Sequence, residues 1–439
     1  MKSSSQSLIY TESPAKLALQ DLLLFIRITF VWPPAAGIPS TIFPFFPFFS
    51  GSLDELYPSY GNLKAVFLHL ILIVLQSLFL ITLIPSILFG IPILPLLWTP
   101  VCVGWVFGFI LANRYFCILL NGTKRHYQSQ IWREDWQEHD DERWIFINGV
   151  AVGDHWMQSN LDKIALTFRR RVHGIHNQTR GIIFDVIECI IQRTFGYATP
   201  DIRIAYKDLL DTIEEQGEDG KSRWKKIVLI LHSQGAIEGG LVLDWLFASV
   251  ERSLLERIEV YTFGCAANHF NSPGSEAKST FRRYANQLTN EKQSEQRVIK
   301  HIEHYANLKD YVSLFGILHF RPIPHGAQHV DAYERKGTVN IYVGRLFARK
   351  GGGHQMNRNY LDSYFAMDPE LKEVLEDNDF MSSELNEELL GEYDIASRMS
   401  EHDTWASPRN ATNEEGGSTR QVKSASRLWC YRNGGSPDA

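Results

Sequence analysis

The run Lys226-Ile-Val-Leu-Ile-Leu-His-Ser-Gln-Gly235 leads directly into Ala236-Ile-Glu-Gly-Gly-Leu-Val-Leu-Asp-Trp245. Residues 227–231 are uninterrupted branched aliphatics, which reads as a strand buried on both faces, as a parallel sheet requires. Beyond Gly235 the apolar residues Ile237, Leu241 and Trp245 recur at helical spacing and predict a helix. Ser233 therefore falls on a tight strand-to-helix turn. Such a turn pushes the hydroxyl out of the sheet and aims the next backbone N–H where an oxyanion would form, the geometry of a nucleophile elbow. The usual pattern is Gly-x-Ser-x-Gly, and Leu231 stands at the first glycine. Strand and helix backbones pass close at that point, so the missing room would come from Gly235, Ala236, Gly239 and Gly240 on the helix side.

Working outward, short apolar strands alternate with helical patterns. Strands are expected at 144–147, 172–175, 258–263, 298–305 and 339–343, and helices at 160–168, 182–191 and 201–215. This alternation implies a mostly parallel sheet with helices on both faces. It occupies residues 143–366, after a charged, Trp-containing linker at 121–142. Past residue 366 the chain turns acidic and then rich in Ser, Gly and Asn, so 367–439 reads as a disordered tail. No internal repeat stands out.

Between residues 65 and 113 there is no Asp, Glu, Lys or Arg. The run 65–89 is long enough to cross a bilayer, which takes about 20 helical residues, and 94–112 is barely so. Pro85, Pro92, Pro95 and Pro100 crowd the connection. Segment 64–120 is therefore expected to be a membrane hairpin, either a pair of spanning helices or a loop dipping into one leaflet. Lys64 precedes it and Arg114, Lys124 and Arg125 follow, which favours both ends in the cytosol. The sequons at Asn121, Asn177 and Asn410 would then stay unglycosylated. An endoplasmic-reticulum or lipid-droplet surface would suit such a chain. No cleavable leader is evident in residues 1–63; the apolar stretch 22–32 and the Phe-Pro cluster 43–49 suit the membrane interface.

The net charge of -6 gives no basic field for nucleic acid. The five cysteines are odd in number and irregularly spaced, which points to neither a disulfide framework nor a zinc site. His301 and His304 flank Glu303, yet a spacing of three along a strand sends the two imidazoles to opposite faces. No metal or other cofactor is expected, and no phosphate-binding glycine loop is present.

A serine nucleophile needs a base, and the base needs an orienting acid. Asp310 follows the 298–305 strand through a short turn and is the best-placed acid, with a helix-capping turn aspartate as the alternative reading. Glu303 and Asp331 are weaker choices. His354 follows the last expected strand and the run Gly351-Gly352-Gly353 and is the best-placed base, with His319, His325 and His329 as alternatives. The oxyanion hole would take one N–H from Gln234 and a second from the Asn148-Gly149-Val150 loop after the first buried strand. Asp154, His155 and Trp156 would lie near the same mouth.

Leu-His-Ser-Gln-Gly with a downstream Asp and Gly-Gly-His resembles the α/β-hydrolase superfamily on its lipase-like side. The stretches Trp144–Gly149 and Gly174–Asn177 are similar to uncharacterised fungal membrane-associated members of that group. The resemblance covers roughly 143–365. It implies an α/β-hydrolase fold and a serine hydrolase with Ser233 as nucleophile, His354 as base, Asp310 as acid, and Gln234 and Gly149 at the oxyanion hole. A membrane-anchored chain of this kind would cleave a carboxylic ester, such as a lipid, through an acyl-enzyme. The same residues suit thioesters, amides or acyl transfer, and a non-catalytic tether is the alternative from another class.

Overall fold

In a computed structural model of the chain, residues 13–31, 45–273, 297–320, 342–370, 372–384 and 421–437 are described. Seven strands form one sheet: β1 (His126–Gln128), β2 (Glu142–Ile147), β3 (Val172–Ile175), β4 (Lys226–His232), β5 (Ile258–Phe263), β6 (His301–Asn307) and β7 (Arg345–Arg349). Their order is β1-β3-β2-β4-β5-β6-β7. β1 runs antiparallel to β3, and every other pairing is parallel. The centre is β4, whose Ile227–Leu231 side chains are wholly buried. That matches the unbroken apolar run from which it was read.

The chain steps from β2 to β3 in one direction and from β3 to β4 in the other. Right-handed crossovers taken in opposite directions place their helices on opposite faces. So α4 (Asp154–Phe168), between β2 and β3, lies on one face. On the other are α5 (Ile182–Phe195), α6 (Pro200–Glu214) and α7 (Gln234–Ser249). The direction changes beside β2 and β4, which opens a crevice beyond their carboxyl ends. Ser233 and Gly149 sit at that crevice.

Before the sheet come α1 (Pro14–Ile26), α2 (Tyr60–Pro85, helical onward to Ile93) and α3 (Pro95–Asn121). The helices Tyr60–Ile93 and Pro95–Asn121 are long and apolar enough to cross a membrane. They pack against each other and return the chain to the domain it left. Their polar side chains turn towards the domain. Gln76 donates to the Arg180 carbonyl at 2.6 Å and to Asn113 at 2.9 Å, and Asn121 donates to the Thr179 carbonyl at 2.7 Å. The Asn121 nitrogen that would carry a glycan is thus buried and bonded. The same holds for Asn177, whose amide donates to Gln234 at 2.9 Å; Asn410 lies outside the described residues.

Two expectations need correction, and a third lies largely outside the described residues. The last described strand is Arg345–Arg349, and of the strand expected at 339–343 only Tyr342 and Val343 are described. Tyr342 makes a bridge to Phe270, and Gly344, at φ +118°, redirects the chain before β7 begins; residues 339–341 lie outside the described set. The expected linker contains the edge strand β1. The tail is not disordered at 421–437. There Leu428, Trp429 and Tyr431 are buried on the α4 face of the sheet, with Trp429 stacked on Phe365 and Tyr431 edge-on to Trp144. Glu303 accepts from the backbone N–H of Arg427 and Leu428, and Glu259 pairs with the Arg427 guanidinium at 2.9 Å. Two buried strand carboxylates thus find their partners in the last segment of the chain.

Candidate active site

Ser233 occupies the turn between β4 and α7 with φ +58° and ψ −120°. An L-residue is strained there, and such strain persists only where the surroundings enforce it. Close backbone approach does the enforcing. A Cβ on Gly235 would stand 2.4 Å from the Ile147 carbonyl oxygen, and one on Gly149 would stand 2.3 Å from Ser233 Cβ. Leu231, in place of the usual glycine, is accommodated by Gly239. A Cβ at Gly239 would lie 2.4 Å from Leu231 Cδ1, so the helix gives up the volume that the strand has taken.

The three residues expected to act together are together. His354 Nε2 lies 2.8 Å from Ser233 Oγ, and His354 Nδ1 lies 2.9 Å from Asp310 Oδ2. Ser233 and Asp310 are buried, whereas the His354 side chain keeps 17 % exposure, enough to meet a ligand. Asp310 also caps a helix, since its Oδ1 accepts from the Val312 N–H at 2.9 Å at the start of α8 (Tyr311–Phe315). One oxygen caps and the other receives the imidazole, so the two readings of this residue coexist.

Asp310 Oδ2 has two further donors that sequence reasoning missed: Ser313 Oγ at 3.0 Å and the Tyr360 hydroxyl at 2.5 Å. Burial alone would raise the Asp310 carboxyl. The His354 imidazole and the hydrogen bonds from His354, Tyr360 and the Val312 N–H outweigh burial and hold it below the usual carboxylate range. Tyr360 is pushed well above an ordinary phenol, first by burial and then by the Asp310 charge, so its hydroxyl stays a donor.

His232, the residue before the serine, stacks on His354 with ring centroids 4.8 Å apart and donates from Nε2 to the His354 carbonyl at 2.8 Å. Burial, and secondarily the neighbouring His354, lower its pKa to about 3. It is a neutral brace for the histidine loop. Gly264, at φ +57°, makes room on the other side, since a Cβ there would stand 2.8 Å from His354 Cε1.

On the oxyanion side, Gln234 is the first residue of α7, and the N–H groups of a helix's first turn have no intrahelical carbonyl to reach. Facing it, the Asn148 side chain donates to the carbonyls of Gly149 and Asn177 and accepts from the Asn177 N–H at 2.9 Å. The Asn177 amide donates to Gln234, Gln234 donates to Gln192 at 3.0 Å, and Gln192 donates to Glu238 at 3.2 Å. A buried chain of amides thus fixes both strand-end loops around the Ser233 hydroxyl. If Gly149 shapes the oxyanion hole, Gly149→Ala should lower turnover by roughly 10²-fold or more, the scale on which a lost oxyanion donor acts. The reason is that the added methyl displaces the Ser233 side chain; steady-state kinetics on an ester substrate with an unfolding curve alongside check it.

Asp154, His155 and Trp156 do not line the mouth but meet the hairpin. Trp156 stacks on His69 and donates to Asn62 at 2.9 Å, and the His155 ring packs on Gly61. Glu303 is committed to the C-terminal segment, and His319 sits in a short helix, 317–320; Asp331, His325 and His329 lie outside the described residues. His304 is placed between the Thr262 hydroxyl and the Val343 carbonyl. Among the described residues no cluster of His, Cys, Asp or Glu could hold a metal ion. A comparison with protein-family models finds no match, and none is found among curated proteins.

Proposed function

We propose that the chain is a membrane-anchored serine hydrolase of α/β-hydrolase fold that cleaves a carboxylic ester of a lipid through an acyl-enzyme on Ser233. The observation that carries this reading is the Ser233–His354–Asp310 relay on a strained strand-to-helix turn. His354 Nε2 takes the Ser233 proton as Oγ attacks the carbonyl carbon, and the resulting imidazolium is stabilised by Asp310. The oxyanion forms against the N–H groups of Gln234 and the Gly149 loop. His354 then returns the proton to the leaving alcohol and activates the water that releases the acid. A binding or tethering protein needs no such relay and gains nothing from the strain at Ser233.

The lipid part of the proposal rests on where the hairpin meets the domain. His69 of α2 donates to the Ala151 carbonyl at 2.8 Å, and a Cβ on Gly153 would strike the Leu120 carbonyl oxygen of α3 at 2.5 Å. The loop that carries Gly149 therefore rests on the hairpin itself, and the reactive end of the sheet is the end from which the hairpin departs. The rings of Phe79 and Phe109 stack at 3.8 Å, and Phe109 meets Phe184 of the domain. Beyond them each arm runs on for about 14 residues, ~21 Å of helix. A hydrocarbon core is about 30 Å thick. In this reading the hairpin enters the bilayer from the cytosolic face that holds the catalytic domain and returns to that same face.

The test is a substrate panel. The purified full chain should hydrolyse glycerolipid esters presented in micelles or vesicles far faster than short soluble esters, and Ser233→Ala should lose both activities. Turnover confined to short soluble esters would refute the lipid assignment, and turnover that survives in Ser233→Ala would refute the mechanism.

A further inference from the structure

We infer that α1 and α5 form a second membrane-contacting surface, lying on the lipid leaflet beside the hairpin. This rests on the membrane placement of the hairpin proposed above. A surface helix of a water-soluble domain turns apolar residues inward and polar ones outward. α5 does the reverse, and α1 does so around Asp21. In α5 the buried positions include Asp185, Glu188, Gln192 and Arg193, while Ile187, Ile191 and Phe195 stand outward, at 39, 38 and 48 % exposure. They recur every fourth residue, so they form one stripe. In α1 the buried residues are Asp21 and Leu24, while Leu19, Leu22, Leu23 and Ile26 are exposed.

The inverted polarity is built in rather than incidental. Asp21 and Arg193 form a buried ion pair across the α1–α5 contact, with Arg193 Nη2 2.7 Å from Asp21 Oδ1 and the Thr194 hydroxyl 2.6 Å from Oδ2. Arg193 also donates to the Phe315 carbonyl at 2.8 Å. The polar groups of α5 are thus used inside, against α1 and α8, and its outward stripe is apolar, while in α1 Lys16 and Gln20 remain exposed beside the leucines. Asp185 works inward in the same way, accepting from the N–H of Ala151 and of Arg180.

The occupant is argued from continuity. α5 packs between the hairpin and α1, with Phe184 against Phe109 of α3 and Asp21 of α1 against Arg193. The outward stripe of α5 borders the exposed apolar residues Ile110 and Ile118 of the α3 arm, which line one cavity with Ile187 and Ile191. A lipid leaflet covers such a surface without any complementary shape, and it is already the solvent of the adjoining helices. The consequence is a fixed attitude. The α1–α5 edge lies flat on the leaflet, and the Gly149 loop beside Ser233, tied to the hairpin through Ala151 and His69, is held close to the lipid.

Depth-dependent quenching tests this. Bimane would be attached in turn to Ile191→Cys, Leu78→Cys and Lys221→Cys in the full chain with Cys430→Ser, reconstituted with phosphatidylcholine vesicles carrying a nitroxide high on the acyl chain. The expected result is quenching at 191 severalfold above that at 221 and comparable with that at 78. Quenching at 78 without quenching at 191 would overturn the inference while leaving the hairpin anchor standing. Absence of quenching at 78 as well would overturn the membrane placement and the inference with it. Shielding of 191 accompanied by a dimeric mass in detergent would assign the stripe to a second copy of the chain, which also overturns it.

Discussion

Ser233→Ala and Ser233→Gly are both expected to lose ester turnover by about 10⁴-fold or more, the scale on which removal of a serine nucleophile acts, yet to differ in stability. Both lose the hydroxyl that faces His354 Nε2 at 2.8 Å. Only glycine adopts φ +58°, ψ −120° without penalty. An alanine there keeps the strain that serine bears. Ser233→Gly should therefore exceed Ser233→Ala in unfolding free energy by about 1–2 kcal/mol, read from denaturant midpoints at constant slope. Equal stabilities would mean that the turn is not strained, and the account of why it is held so tightly by Gly149, Gly235 and Gly239 would fail.

The second large effect lies away from the reacting atoms. Asp21→Ala is expected to cost about 3–5 kcal/mol, because it leaves a buried guanidinium without its counter-charge. The Arg193 side chain is fully buried and spans Asp21, Phe315 and Ala266. Loss of Asp21 should therefore loosen α1 and disturb the turn after β5 and the carboxyl end of α8, the helix that Asp310 caps. The wild type and the variant would be compared by chemical unfolding in one detergent. Asp21→Asn, which keeps a neutral partner for the guanidinium, should cost less than Asp21→Ala. A loss below about 1 kcal/mol for Asp21→Ala, the range of an exposed pair, would show that α1 is not locked to the domain.

The residues of the candidate site were legible because each stands at a strand end, where the chain announces itself. Ser233 follows an unbroken aliphatic run, Asp310 follows β6, and His354 follows a glycine run. The flaw at Leu231 was also legible, and its remedy at Gly239 was among the positions that the sequence offered. The rest was hidden for physical reasons. Tyr360 and Ser313 reach Asp310 through tertiary packing, which no local spacing encodes. β7 was missed because Arg345-Leu-Phe-Ala-Arg349 is an edge strand with charge at both ends. β1 has three residues and no apolar alternation to read. The C-terminal segment appeared disordered because its overall composition is polar. Val422, Leu428, Trp429 and Tyr431 supply its packing, and Glu259 and Glu303 await it on the sheet. The inside-out helices are the instructive case. The periodicity of α5 was plain, but periodicity alone says which residues share a face, not which face meets the protein. Only the buried Asp21–Arg193 pair shows that the polar side is the inner one.

The central claim is that Ser233 is the activated nucleophile, and a fluorophosphonate probe tests it most directly. The folded wild-type chain in detergent should gain one probe mass, located on Ser233 by peptide mapping, and Ser233→Ala should gain none. Failure of the folded wild type to react, or a label that persists in Ser233→Ala, would contradict the account.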